Sequence, residues 1–117
     1  MRRWVASSAL MLAVGLFVLA AWTRPAMGQA PVEVPLTMTK DAFDPAELKV
    51  KAGARFILVI TNKDDITHEL DIPKLRIEKK VRAGQVLKLQ IPALKPGKYE
   101  LVDDDSTPEL HGLMIAE

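Results

Sequence analysis

Short apolar runs recur about every ten residues after position 31, and Pro, Gly, Asn or Asp bounds each run. This spacing is typical of an all-β sandwich or barrel, because amphipathic helices need longer runs with a period near 3.6. The pattern therefore predicts seven or eight strands in a single domain. They lie at 32–39, 47–51, 55–61, 67–72, 76–81, 85–91, 98–103 and 112–116.

Alternation along the runs predicts which side chains face the core. Val34, Leu36 and Met38 share one face of the first strand, and Pro35 indicates that this strand lies at a sheet edge. The run 56–60 is apolar throughout, which predicts a central strand buried on both faces. Only residues 41–47 and 106–110 are candidates for a helical turn. In the strand 85–91, one face carries Leu87, Leu89 and Ile91.

The first 28 residues differ in composition from the rest and contain no Asp or Glu. Arg2 and Arg3 precede the apolar stretch 5–22, and Ala26 and Gly28 supply small residues for a cleavage site. This pattern predicts a signal peptide over 1–28 and a folded domain over 29–117, exported to a bacterial periplasm. An uncleaved membrane anchor is the alternative, because eighteen residues of this kind nearly span a bilayer.

Charge and cysteine content exclude several classes of protein. Residues 29–117 hold 13 Lys and Arg against 15 Asp and Glu, so the net charge changes from +1 for the whole chain to −2. That balance lacks the basic excess that nucleic-acid binding requires. The chain contains no cysteine. Disulfides, zinc–thiolate sites, iron–sulfur clusters and copper–thiolate centres are therefore excluded.

The order of elements resembles that of a cupredoxin. The resemblance rests on an early edge strand, the segment 43–53, a buried strand that ends at Thr61-Asn62, a histidine just beyond it, and the Pro96-Gly97-Lys98-Tyr99 hairpin. It covers residues 32–117. What it implies is an all-β, Greek-key β-sandwich of the cupredoxin-like type.

A narrower resemblance concerns the small periplasmic cupredoxin-like domains associated with bacterial iron uptake. It rests on His68-Glu69-Leu70, on 76–79, on 91–97 and on the acidic stretch after Tyr99. It implies a monomer that binds a metal ion and works with a membrane permease or a periplasmic metal-transport protein.

The chain has two histidines, His68 and His111. His68 follows the central strand, where copper-binding cupredoxins place their upstream histidine ligand, and His111 precedes the last strand, where they place the remaining ligands. The resemblance implies that both loops lie at one end of the sandwich. A shared metal site is therefore predicted, although a loop histidine is commonly a solvated or capping residue.

The downstream segment carries a spacing similar to the binuclear copper loop of cytochrome oxidase subunit II. Asp103, Thr107, His111 and Met114 occupy the matching positions, with Asp and Thr where that family has cysteines. Without thiolates, neither a binuclear nor a blue copper centre is expected. The remaining imidazole, carboxylate and thioether groups suit Cu(II), or iron, nickel or zinc with weaker selectivity. Storage or delivery of metal is therefore expected, rather than electron transfer.

Further candidate ligands have ordinary structural alternatives. Three adjacent carboxylates repel one another, so the segment Asp103-Asp104-Asp105 forms either a cation-binding site or a solvated turn. Glu69 adjoins His68, but alternation sends it to the opposite face of the strand. Met114 is a thioether ligand or a core residue. The predicted metal ligands are thus His68, His111, Asp103, Met114, Glu69 and Asp104.

Enzyme motifs are missing from the sequence. It has no Ser-His pairing motif, no Gly-rich phosphate loop and no insertion long enough to form a substrate cavity. We therefore expect a protein that is not an enzyme. Two hypotheses follow: an exported module that binds one transition-metal ion, with Cu(II) favoured, or a metal-free interaction module that has lost its copper centre.

Overall fold

A computed structural model describes residues 30–117, and the predicted signal peptide lies outside this range. No helix in the described part of the chain is long and apolar enough to cross a membrane. The all-β prediction is confirmed. The strands within residues 30–117 are β1 (Val32–Met38), β2 (Phe43–Asp44), β3 (Glu47–Val50), β4 (Phe56–Asn62), β5 (His68–Ile72), β6 (Ile77–Val81), β7 (Val86–Ile91), β8 (Gly97–Asp103) and β9 (Leu110–Ala116), and a 3-10 turn lies at Pro73–Leu75.

The strands form two sheets, with orders β2-β1-β4-β7 and β3-β9-β8-β5-β6. β1 pairs with β4 in parallel, and β3 pairs with β9 in parallel. The short strand β2 lies where a helical turn was considered, and it pairs only with Thr37 and Met38 of β1. Pro35 therefore lies on an open stretch of edge, where its missing N–H removes no inter-strand hydrogen bond.

The core lies between the sheets and is built from alternate residues of each strand. Leu36 and Met38 of β1, Ile60 of β4 and Leu70 of β5 are each 1% exposed or less. The prediction that β4 is buried on both faces is wrong, because Ile57 and Val59 face outward and are only half-buried. These outer residues lie opposite Gln90 and Lys88 of β7, whose polar ends reach solvent.

Candidate functional site

A buried cluster surrounds His68 at the start of β5. The His68 side chain faces the core, and the residue as a whole is 1% exposed. Its Nδ1 is 2.5 Å from Oδ2 of Asp103, at the end of β8, and its Nε2 is 2.8 Å from Oδ2 of Asp64, in the turn after β4. We call Asp64, His68 and Asp103 the His68 clamp. It connects the turn after β4 and the adjacent start of β5 to the end of β8, 35 residues further along the chain.

The turn that carries Asp64 is organised by Asn62, which is fully buried. The Asn62 amide donates to the carbonyl oxygens of Ile66 and Val81 at 2.8 and 2.9 Å, and its Oδ1 accepts the Asp64 N–H at 2.9 Å. A side-chain oxygen that accepts a backbone N–H two residues later is the usual contact of an Asx turn. This geometry holds the Asp64 carboxylate against His68.

The protonation state of His68 follows from its two partners. Burial favours the neutral imidazole, but the hydrogen bonds to Asp64 and Asp103 outweigh that effect and raise the pKa of His68. The hydrogen bond from His68 lowers the pKa of Asp64. An ionised carboxylate only accepts hydrogen bonds, so two carboxylates on one ring require both ring nitrogens to donate. The two carboxylates therefore favour the imidazolium form of His68.

This ion-pair cluster predicts that the protein loses stability in alkaline solution. Because folding raises the pKa of His68, this residue contributes to the free energy of unfolding. The contribution is complete below the ordinary histidine pKa of 6.5 and is lost as the pH rises through the pKa of the folded state. In EDTA, the urea midpoint is expected to be lower at pH 9 than at pH 6.5. The difference is expected to shrink in His68→Gln. Equal midpoints for the wild type at the two pH values would contradict a charged His68.

The structure places His111 apart from His68, and the predicted shared site is not formed. Strand β9 begins at Leu110, two residues earlier than predicted, so His111 lies within a strand and not in a loop. Leu110 is buried on the inner face, and alternation turns His111 to the outer face. The His111 side chain is 53% exposed and its Nδ1 is 2.8 Å from Oε1 of Glu100. Its Nε2 lies 3.5 Å from Oε1 of Glu109.

Met114 lies in the core and not beside either histidine. Its side chain is 0% exposed, and the residue pairs with Tyr99 of β8 and Leu48 of β3. His111 and Met114 face opposite sides of β9, as residues three apart in a regular strand must. Of the predicted ligands, the structure therefore brings only Asp103 into contact with His68.

A second acidic group lies on the outer face of the same sheet. Glu69 and Asp71 are two residues apart on β5, and Asp71 pairs with Val102 near the end of β8, which brings Asp104 alongside. One carboxylate oxygen from each of Glu69, Asp71 and Asp104 lies within 4.8 Å of the other two. We call these three residues the carboxylate cluster. The prediction that Glu69 faces away from His68 agrees with this geometry.

Asp71 is the residue of this cluster that sequence reasoning missed. The available signal was its spacing from Glu69, since residues i and i+2 share one face of a strand. Asp71 is only 7% exposed, and its Oδ1 has no hydrogen-bond partner. An unpartnered buried oxygen is rare in folded proteins and is costly when it carries charge.

Mutual repulsion dominates the electrostatics of the carboxylate cluster. Burial, together with the negative charges of Glu69, Asp104 and Glu78, raises the pKa of Asp71 to about 6. Burial and the charges of Asp105 and Asp104 also raise the pKa of Glu69. The folded protein therefore holds these carboxylates close together at a cost that a bound cation would offset.

An open groove of about 490 Å³ lies over Asp71 and Asp104, and Glu78 and Glu109 add carboxylates to its lining. Arg76 also lines the groove. Within residues 30–117, no salt bridge joins a lysine or arginine to the carboxylate cluster. The groove is open to solvent, and although Arg76 lines it and Lys80 lies opposite Glu69 in the strand pair, neither forms a salt bridge with the cluster.

Comparison with known proteins supports the fold. A family model described as "Cupredoxin-like domain" matches residues 9–116. An uncharacterized protein of Rickettsia prowazekii (strain Madrid E) is 31% identical over 84 residues, which cover 72% of this chain and 67% of that protein.

Two solved structures have the same fold at low sequence identity. The periplasmic domain of subunit II of cytochrome oxidase from Bradyrhizobium japonicum aligns with a TM-score of 0.62 at 12% identity, covering 76% of this chain and 86% of that one. Auracyanin A, a "blue" copper protein of Chloroflexus aurantiacus, aligns with a TM-score of 0.60 at 14% identity, covering 75% and 100%.

The residues present do not fit the copper centre that the cupredoxin fold implies. The chain has no cysteine, both ring nitrogens of His68 contact carboxylates, His111 lies on the outer face, and Met114 lies in the core. A copper ion needs an unprotonated ring nitrogen and several donors that converge on one point. The described residues therefore have the cupredoxin scaffold without the ligand set of its copper centre. On its two-sheet fold and its family match, the chain belongs to the cupredoxin-like domain family.

Proposed function

We propose that this protein is a metal-binding cupredoxin-like module that holds one divalent cation at the carboxylate cluster of Glu69, Asp71 and Asp104. The observation that carries the proposal is the Asp71 side chain: its buried Oδ1 has no hydrogen-bond partner, and one of its oxygens lies within 4.8 Å of an oxygen of each of two further carboxylates. A bound cation would supply the missing partner. It would also replace mutual repulsion by attraction.

The chemistry of the donors determines which ion is expected. All three ligands offer carboxylate oxygen, which suits Mn²⁺, Ca²⁺ and Mg²⁺. The Cu(II) preference inferred from the sequence assumed imidazole ligands, and the carboxylate cluster contains none. Cu(II) and iron stay in the set to be tested, since Cu(II) outcompetes other divalent first-row ions at most sites of nitrogen and oxygen donors.

The open groove supports a role in storage or delivery. Because the carboxylate cluster lies on the surface of the sheet, water can complete the coordination shell and the ion can exchange. We propose binding and transfer of the ion, without catalysis. A periplasmic location, a monomeric state and transfer to a membrane permease or another metal-transport protein are parts of the same proposal.

Substitution of Asp71 tests the site. In the wild type, saturating Mn²⁺ is expected to raise the unfolding temperature, with a stabilisation of about 2.7 kcal/mol at a hundred times the dissociation constant. Asp71→Asn is expected to weaken Mn²⁺ binding by at least about tenfold. Loss of a residue that only hydrogen-bonds a metal ligand already has an effect of that size, and Asp71 is proposed as a ligand itself. In EDTA the same variant is expected to be more stable than the wild type, because a buried unpaired charge is removed.

Calorimetric titration with Mn²⁺, Ca²⁺, Mg²⁺ and Cu²⁺, together with thermal unfolding, provides both measurements. Asp41→Asn is the matched control, since Asp41 is exposed and distant in sequence from the carboxylate cluster. Equal binding by the wild type and by Asp71→Asn would reject the site. If Asp71→Asn is more stable than the wild type but binds the metal ions equally well, Asp71 is a destabilising buried residue and not a metal ligand.

The metal-free interaction module is the second candidate function, and the His68 clamp is the observation that favours it. The clamp occupies the place where the resemblance to cupredoxins implies a copper ligand. This alternative predicts that none of the four ions changes the unfolding temperature of the wild type.

A further inference from the structure

We propose that the His68 clamp takes the structural place of the copper ion, with one histidine side chain, held between two carboxylates, joining segments that a metal would otherwise join. The clamp ties the 62–66 turn to the start of β5 and to the end of β8. This inference is independent of the carboxylate cluster, which lies on the outer face of the sheet.

The first support is that carboxylates occupy both ring nitrogens of His68. Each nitrogen lies at hydrogen-bond distance from a carboxylate oxygen, at 2.5 and 2.8 Å. A metal ion could reach either nitrogen only by moving a carboxylate. Little space exists for that movement, because the side chains of His68 and Asp103 are 2% and 0% exposed and that of Asp64 is 10% exposed.

The second support is that every carboxylate oxygen of the clamp already has a donor. Oδ1 of Asp64 accepts the Asp65 N–H at 2.7 Å, and Oδ1 of Asp103 accepts the Asp105 N–H at 3.2 Å. Oδ2 of each carboxylate accepts from His68, and Oδ2 of Asp103 also accepts from the Ser106 hydroxyl at 2.8 Å. A fully satisfied buried network is rigid and needs no further ligand.

The third support is the residue at position 103. The resemblance to the oxidase loop places a cysteine there, and this chain has aspartate. A carboxylate at the end of β8 can accept hydrogen bonds from Nδ1 of His68 and from the Ser106 hydroxyl together, as the distances indicate. At the position where the resemblance implies a metal ligand, this chain therefore has a hydrogen-bond acceptor for His68.

Copper binding to a variant without His111 tests the proposal. The chain has only two histidines, so in untagged His111→Gln any imidazole bound to copper must be that of His68. With one equivalent of Cu²⁺, spin-echo electron paramagnetic resonance is expected to detect no remote imidazole nitrogen in this variant. Detection of that nitrogen would overturn the proposal. His111 is half exposed, so the variant is expected to fold, and circular dichroism checks this.

A second measurement uses the wild type and does not depend on any substitution. Nitrogen-15 magnetic resonance of the histidine side chains is expected to show that neither ring nitrogen of His68 binds zinc after addition of one equivalent of Zn²⁺. A His68 ring nitrogen at the resonance position of a zinc-bound imidazole would overturn the proposal.

Discussion

His68→Ala is expected to lower the free energy of unfolding by about 3–5 kcal/mol, the cost of breaking a buried ion pair by removing one partner. The substitution leaves Asp64 and Asp103 close together without the positive charge between them, and Asp103 is fully buried. It also removes the connection between β5, the 62–66 turn and the end of β8. Urea denaturation followed by circular dichroism at pH 6.5 measures the effect.

His111→Ala is the matched control for this experiment. His111 forms its ion pair with Glu100 on the surface, where both side chains are more than half exposed. Surface pairs of this kind contribute about 0–1 kcal/mol, so the variant is expected to unfold almost as the wild type does. A loss below about 1 kcal/mol for His68→Ala would mean that the clamp does not stabilise the folded chain.

Met114→Ala is expected to cost about 2–5 kcal/mol, because a fully buried side chain is truncated and a cavity remains. Met114→Leu is expected to cost less than about 1.5 kcal/mol, since volume and apolar character are kept. Thermal and urea unfolding of both variants provide the comparison.

The same pair of variants separates a core role from a ligand role. If Met114 only fills space, Met114→Leu binds Cu²⁺ and Mn²⁺ as the wild type does. Weaker Cu²⁺ binding by Met114→Leu at unchanged stability would restore Met114 as a thioether ligand and contradict its assignment to the core.

Much of the fold is predictable from local pattern. The alternation in 32–38 and 85–91 correctly predicts which side chains face inward, because a strand has a side-chain period of two. The same rule correctly separates Glu69 from His68. The strand β2 was not predicted, since two residues are too short a segment to show any period.

The candidate site is less predictable, and His111 shows why. Strand β9 begins two residues earlier than predicted, so His111 lies in a strand and not in the predicted loop. Within a strand, its side chain must face the side opposite to that of Leu110. The proximity of His68 and Asp103 was predicted from the resemblance to cupredoxins. The role of Asp64 as the second partner of His68 was not predicted, because it depends on the turn that Asn62 organises.

By itself, the sequence determined the order of the longer strands, the inward faces of β1 and β7, and the absence of any thiolate centre, since each of these depends on residue type and near neighbours. Tertiary structure decided which polar groups meet. His68 and Asp103 are 35 residues apart, and Asp71 meets Asp104 only through the pairing of β5 with β8. Such contacts depend on strand order and register, and those are set by packing of the two sheets around a common core.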